Sequence, residues 1–139
     1  MAGRVLLDTC AIVFLTEGLV RGPEIRRVLE AARPGDLVVS AVSAWEIGTL
    51  SRLGPPRRVR FEPSAADWFQ MFVDRFEATV LPLGARAALD AAMLPDPPHG
   101  DPADRLLIAT ARELEAPIVT RDRRILEYAA AGHVQAIAC

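Results

Sequence analysis

Five acidic side chains stand where an apolar run stops or a helical pattern begins. They are Asp8 in VLLDTC, Glu46 in SAVSAWEI, Asp101 and Asp104 in HGDPADRLL, and Asp122 in VTRDRRI. Carboxylates gathered from distant parts of a chain repel one another unless a cation lies among them. Hard divalent ions such as Mg²⁺ or Mn²⁺ prefer oxygen ligands of this kind. The chemistry therefore turns on whether these segments meet in space.

Each acid also has an ordinary structural use. Asp8 suits the N-cap of the helix that follows it, and capping leaves a metal role open, since both need the carboxyl edge of a strand. Glu46 lies about two turns into a helix among Val42, Trp45, Ile47 and Leu50, where a glutamate is usually solvated at the edge of the apolar face. Its neighbours Ser40 and Ser43 are small and polar, which is odd for a face that packs only on a core. Trp45 is expected in the core rather than as a base-stacking platform, and Cys10 as a small buried residue. Asp101 precedes Pro102, a residue suited to the first helical position, so Asp101 reads as the N-cap and Asp104 as the third residue of a capping box. Asp104 shares a face with Leu107, Ile108 and Ala111, which points its carboxylate into a crevice at the sheet edge. There the helix dipole should lower its pKa and keep it ionised. Asp122 suits a cap or a site equally. The Thr120 hydroxyl suits either a cap or the positioning of a water or a neighbouring carboxylate.

The elements that must position these residues follow from the pattern. Strands are expected at 4–7, 37–40, 78–83, 117–120 and 134–138, and helices from 9 to about 17, then at 23–32, 41–53, 64–76, 84–94, 102–115 and 123–131. Residues 57–62, RRVRFE, read as a loop or short hairpin, and the four prolines of LPDPPHGDP force a loop. Short apolar strands alternating with amphipathic helices predict an α/β three-layer sandwich, with a mainly parallel sheet of about five strands flanked by helices. Ligands bind beyond the carboxyl ends of such strands, where Asp8 and Thr120-Arg121-Asp122 fall.

With 139 residues, the chain reads as one domain spanning 1–139. Half of it is hydrophobic (51%), enough for a substantial core. No apolar run approaches the roughly 18–20 residues of a membrane span, and MAGRVLLDTC lacks a signal peptide's apolar stretch and cleavage site. A cytoplasmic location is therefore expected, and two cysteines suggest no disulfide framework. A net charge of −2 argues against a molecule that binds nucleic acid through overall basicity. All sixteen basic residues are arginine, clustered at Arg52, Arg57, Arg58 and Arg60 and at Arg121, Arg123 and Arg124. Arginine suits bidentate phosphate contact, though a lysine-free, alanine-rich chain also reflects genomic composition.

The order of acids, from LLDTC through SAVSAWEI and HGDPADRLLIATA to IVTRDRRILEY, resembles the PIN domain, and more narrowly the toxin ribonucleases of VapBC-type toxin–antitoxin pairs. The likeness spans nearly the whole chain, and the HGDPADRLLIATA segment is its most specific part. It implies a Mg²⁺- or Mn²⁺-dependent endoribonuclease in which Asp8, Glu46, Asp104 and Asp122 form the acidic metal site. Asp8 and Asp104 would hold the first ion, with Asp101, Ser43 and Thr120 in supporting positions. Relatives often carry a lysine after the glutamate, where this chain reads IGTLSRL, so RNA contact would fall to Arg52, Arg57 and Arg58. His99 would be a loop residue or RNA contact. The likeness also implies a VapB-type antitoxin and a homodimer or toxin–antitoxin hetero-oligomer, with Phe14, Leu15 and Leu19 as candidate contacts. The alternative is a catalytically inactive PIN-like module that binds RNA or protein. A receiver-like phosphoacceptor would need a late-strand lysine, which is absent. Flap-type DNA nucleases are usually longer chains.

Overall fold

A computed structural model describes residues 3–53, 60–97 and 100–139. The elements run β1 (Val5–Leu7), α1 (Thr9–Glu17), α2 (Pro23–Ala31), β2 (Leu37–Ser40), α3 (Ala41–Ser51), α4 (Ala65–Phe76), β3 (Thr79–Leu81), α5 (Ala85–Ala92), α6 (Pro102–Leu114), β4 (Ile118–Thr120), α7 (Arg123–Ala130) and β5 (Ala136–Ala138). The five strands form one sheet in the order β3-β2-β1-β4-β5, and every pairing is parallel.

Strand alternation divides the interior into two cores, as it must when helices cover both faces. Leu6, Val38 and Ile118 point to one side, against Leu107 and Ile108 of α6 and Ile125 and Tyr128 of α7. Val5, Leu7, Val39 and Val119 point to the other, against Ile12 of α1, Ile25 of α2, Ile47 of α3 and Phe72 of α4. This is the three-layer sandwich expected, with the sheet parallel throughout. The strands are shorter than the sequence suggests. Pro82 has no N–H to continue the β3 ladder, so 82–83 fall outside it. Residues 134–135 likewise precede β5, although the Gln135 carbonyl still accepts from Ile118 N at 2.9 Å. Arg60–Glu62 form no strand, and the rest of the 57–62 segment lies outside the described residues.

The sheet order places the reversal between β1 and β4. From central β1 the chain builds outward to β2 and β3, and then returns to the other side of β1 for β4 and β5. Beyond the carboxyl ends of strands at such a reversal lies a crevice that adjacent connections do not cover. Asp8 follows β1 there and Thr120 ends β4, while α3 leaves β2 at the same edge.

Candidate active site

Asp8 is the hub of this crevice. It is only 5% exposed, and its backbone N–H donates to Val119 O at 3.1 Å, which fixes it beside β4. One carboxylate oxygen, Oδ1, caps α1 by accepting from Ala11 N at 2.7 Å. The other, Oδ2, accepts from Thr120 Oγ1 at 2.5 Å. Thr120 itself is fully buried, and its hydroxyl oxygen accepts from Asp122 N at 3.0 Å. The two alternatives for Thr120 are thus both realised: it steadies the turn into α7 and aims the Asp8 carboxylate.

Asp122 caps α7 through Oδ1 alone, accepting from Arg124 N at 2.8 Å and Ile125 N at 3.3 Å. Asp101 caps α6 in the same way, its Oδ1 accepting from Ala103 N at 3.0 Å and Asp104 N at 3.3 Å. Pro102 occupies the first turn, as its fixed φ favours. On α3, Glu46 is oriented by Thr9, whose hydroxyl donates to Oε1 at 2.5 Å. Thr9 Oγ1 also lies 3.0 Å from the buried Ser43 Oγ. Ser43 therefore supports Glu46 through Thr9. Sequence reasoning misses Thr9; its one signal is a hydroxyl directly after a capping aspartate.

Electrostatics show that the acids share one field. Burial raises Asp8 from 3.8 to about 6 against the opposing bonds from Thr120 and Ala11, and repulsion from Asp122 and Glu46 adds to the rise. Asp104 is pushed to about 7, first by burial and then by Asp101, Asp122, Glu46 and Asp8. The expected dipole stabilisation of ionised Asp104 is therefore overturned. A helix N-terminus contributes about 0.3–1 kcal/mol, less than desolvation combined with like charges. Glu46 is also raised, by burial and then Asp101, with Thr9 opposing. Cys10 keeps exposed surface, contrary to expectation. Its thiol is nonetheless raised to about 11, by partial burial and by Asp8, Glu46, Asp104 and Asp122.

Oxygen-only donors, partly withdrawn from water and repelling one another, suit a hard divalent cation in their chemistry. Among the described residues, no three His, Cys, Asp or Glu side chains stand close enough to hold a metal ion as placed. An ion bound there would have to draw the acids inward. A cleft of about 1100 Å³ lies elsewhere, lined by Arg112 and Glu115 of α6, by α7 and by 132–136. None of the five acids lines it.

Residues 5–131 match the PIN domain family, which covers every element holding these acids. This chain belongs to that family. Within it, the chain is 32% identical over 90 residues to Ribonuclease VapC22 of Mycobacterium tuberculosis (strain ATCC 25618 / H37Rv), a match spanning 65% of each chain. Two solved structures share the PIN fold. VapBC2 from Rickettsia felis bound to a DNA fragment from their promoter superposes with a TM-score of 0.66 at 12% identity, covering 96% of this chain and 97% of that one. VapBC-1 from nontypeable Haemophilus influenzae gives 0.64 at 17% identity, covering 96% of each.

The arginines divide. Arg121 is engaged within this PIN domain: Nε donates to Cys139 O at 2.9 Å and Nη2 to Leu19 O at 2.8 Å, and the guanidinium lies 3.9 Å from the Phe14 ring centroid. It covers Phe14 and has two of its donor groups engaged within the chain. Leu15 packs on the second core, while Leu19 keeps 38% of its surface exposed. Arg52 follows α3 and is exposed, and Arg57, Arg58 and His99 lie outside the described residues. Trp45 is 66% exposed, against the core placement expected. The inner side of α3 is filled by Val42, Ser43 and Ile47, which leaves Trp45 facing out.

Proposed function

We propose that this PIN domain is a VapC-type toxin, a Mg²⁺- or Mn²⁺-dependent endoribonuclease held inactive by a VapB-type antitoxin. The supporting observation is the shared field at the β1/β4 edge, where burial and then Asp101, Asp122, Glu46 and Asp8 raise Asp104. Likeness to a protein named a ribonuclease points the same way. Asp8 and Asp104 would hold the ion, with Glu46 and Asp122 completing the site directly or through water. When bound, the cation supplies charge neutralisation and a water of lowered pKa for in-line attack on a phosphodiester.

The chain's own residues do the positioning. Thr120 fixes one Asp8 oxygen while the α1 cap fixes the other, so Asp8 is held before any ligand arrives. Thr9 holds Glu46 on the facing helix. The open crevice suits single-stranded loops rather than stacked duplex, and rim arginines such as Arg52 add salt-dependent phosphate affinity. No helix among the described residues is long and apolar enough to cross a membrane. A cytoplasmic toxin, assembled as a homodimer or with its antitoxin, completes the proposal.

The test is cleavage of RNA and of DNA in Mn²⁺ and in EDTA, by the wild type and by Asp104→Asn. The proposal expects RNA cleavage in Mn²⁺ only, abolished by the substitution. Full-rate cleavage by Asp104→Asn, or in EDTA, would overturn it. Cleavage by neither protein would leave the non-catalytic binding module.

A further inference from the structure

Residues 93–101 join α5 to α6 and lead into two of the acids, Asp101 as the cap of α6 and Asp104 within its first turn. The last carbonyls of a helix have no donor within it, and the last turn of α5 holds no basic residue of its own. Arg105 of α6 supplies the donors: Nε donates to Ala91 O at 3.1 Å and Nη2 to Ala92 O at 3.2 Å. A cation there also complements the α5 dipole. The backbone N–H of the same residue donates to Asp101 O at 3.1 Å. One residue thus grips both ends of the connection. Alongside it, the Tyr128 hydroxyl donates to Pro95 O, and Leu94 is buried in the core that Leu107 fills. Burial raises the Tyr128 hydroxyl while Arg112 and Arg105 oppose the rise, which places the Arg105 guanidinium toward α7 as well as α5. The clasp matters because the first turn of α6 has few other anchors. Of residues 102–105 only Ala103 is buried, and the large anchors, Leu107 and Ile108, begin a turn later. Beyond burial, Asp104 is raised by Asp101, Asp122, Glu46 and Asp8, a repulsion that drives this turn away from the other acids.

We propose that Arg105 is a positioning residue of the acidic site: by clasping the end of α5 it fixes the first turn of α6, and with it the Asp104 carboxylate, for capture of a divalent cation. The inference rests on the nuclease reading for the cation, and it adds a residue that acts through Asp104 rather than on cation or RNA. Adjacent residues lie about 100° apart around a helix, so pinning Arg105 against α5 sets the direction in which Asp104 projects. The clasp holds that direction against the repulsion of the other acids while the cation is absent. Lysine would be a poor substitute, because its ammonium is a point charge, whereas the planar guanidinium spans two carbonyls with fixed geometry.

The test is calorimetric titration of the full chain with Mn²⁺, well below the melting temperature, with circular dichroism to show that each variant is folded. Arg105→Ala should weaken the Mn²⁺ Kd about tenfold, in keeping with the loss of charge-assisted hydrogen bonds that hold a ligand in place. Arg105→Lys keeps the charge and one bond, and should weaken it about threefold; should the alanine variant not fold, the lysine variant decides. The matched control is Arg112→Ala, which removes an arginine contact to the His133 carbonyl at the far end of the same helix. It should leave Kd within about twofold, whatever it does to stability. A merely structural clasp would lower the melting temperature of Arg105→Ala and leave Mn²⁺ affinity of the folded protein unchanged. That result would overturn the proposal, as would equal losses of affinity in Arg105→Ala and Arg112→Ala, or a wild type that binds no Mn²⁺. A wild type that binds Mn²⁺ and cleaves no RNA would sink the nuclease reading, while the affinities of the variants would still decide the clasp.

Discussion

Asp8→Asn should stabilise the metal-free protein while removing its capacity for metal. Asp8 is buried, and its carboxyl is raised from 3.8 to about 6. Above that value the group is ionised both folded and unfolded, and the folded state bears the full difference of about 3 kcal/mol. Between 3.8 and about 6 the folded chain holds a proton that the unfolded chain has lost, so stability falls as pH rises through that window. Below the window the cost vanishes, and near pH 5 roughly half of it remains. Asparagine keeps the Oδ1 cap on Ala11 N and can donate from its amide to Thr120 Oγ1, but the buried Thr120 hydroxyl then loses its acceptor, so about 3 kcal/mol is the upper bound of the gain. For a domain of this size, about 3 kcal/mol corresponds to roughly 6–12 °C in Tm. The assay is thermal unfolding in EDTA at about pH 7.5 and about pH 5, then with Mn²⁺. Asp8→Asn should melt higher at the upper pH, with the gap about halved at the lower. Mn²⁺ should raise Tm of the wild type and not of the variant. A variant that melts lower in EDTA at neutral pH, or a gap that widens in acid, would refute the reasoning.

Other outcomes follow from the same geometry. Mn²⁺ binding should release protons near pH 7, about half from Asp104, whose carboxyl titrates at about 7. Calorimetry in buffers of different ionisation enthalpy reads this, and the release should vanish by about pH 8.5. Thr9→Val should weaken Mn²⁺ about tenfold by freeing Glu46, while Thr9→Ser restores it; equal affinities would deny Thr9 its positioning role. Arg121→Ala should cost about 1–3 kcal/mol in unfolding experiments, because it removes two bonds and the stack on Phe14. Its RNA affinity should keep the wild-type salt slope, whereas Arg52→Ala should lower that slope by about one. Leu107→Ala should cost about 2–5 kcal/mol in denaturant unfolding, since Leu107 is fully buried between α6 and the sheet.

The fold was legible because local and global signals agreed. VLL and LVVS could only be buried strands, and Asp8, Ser40, Ser64, Asp101 and Asp122 each preceded a helix and indeed cap one. Strand ends were less legible, since an apolar residue such as Val134 packs in the core without entering a ladder. Four acids on different elements could be read as one site only through the resemblance of their order to the PIN domain, since the strand order that brings β1 beside β4 is not written in any local pattern. Three features escaped for a common reason: they depend on how distant elements pack together. Trp45 faces outward because Val42, Ser43 and Ile47 fill the inner side of α3. Thr9 reaches Glu46 across a separation of 37 residues. Asp104 is raised because burial, and then the field of four acids, outweigh a dipole that local sequence alone makes visible.

The central claim is that Asp8 of β1 and Asp104 of α6 close on one divalent cation. Anomalous diffraction from a crystal soaked in Mn²⁺ tests it directly. The account predicts a single strong peak between the two carboxylates, within metal–oxygen bonding distance of each, about 2.0–2.3 Å. Carboxylates that stay apart with no peak between them would contradict it.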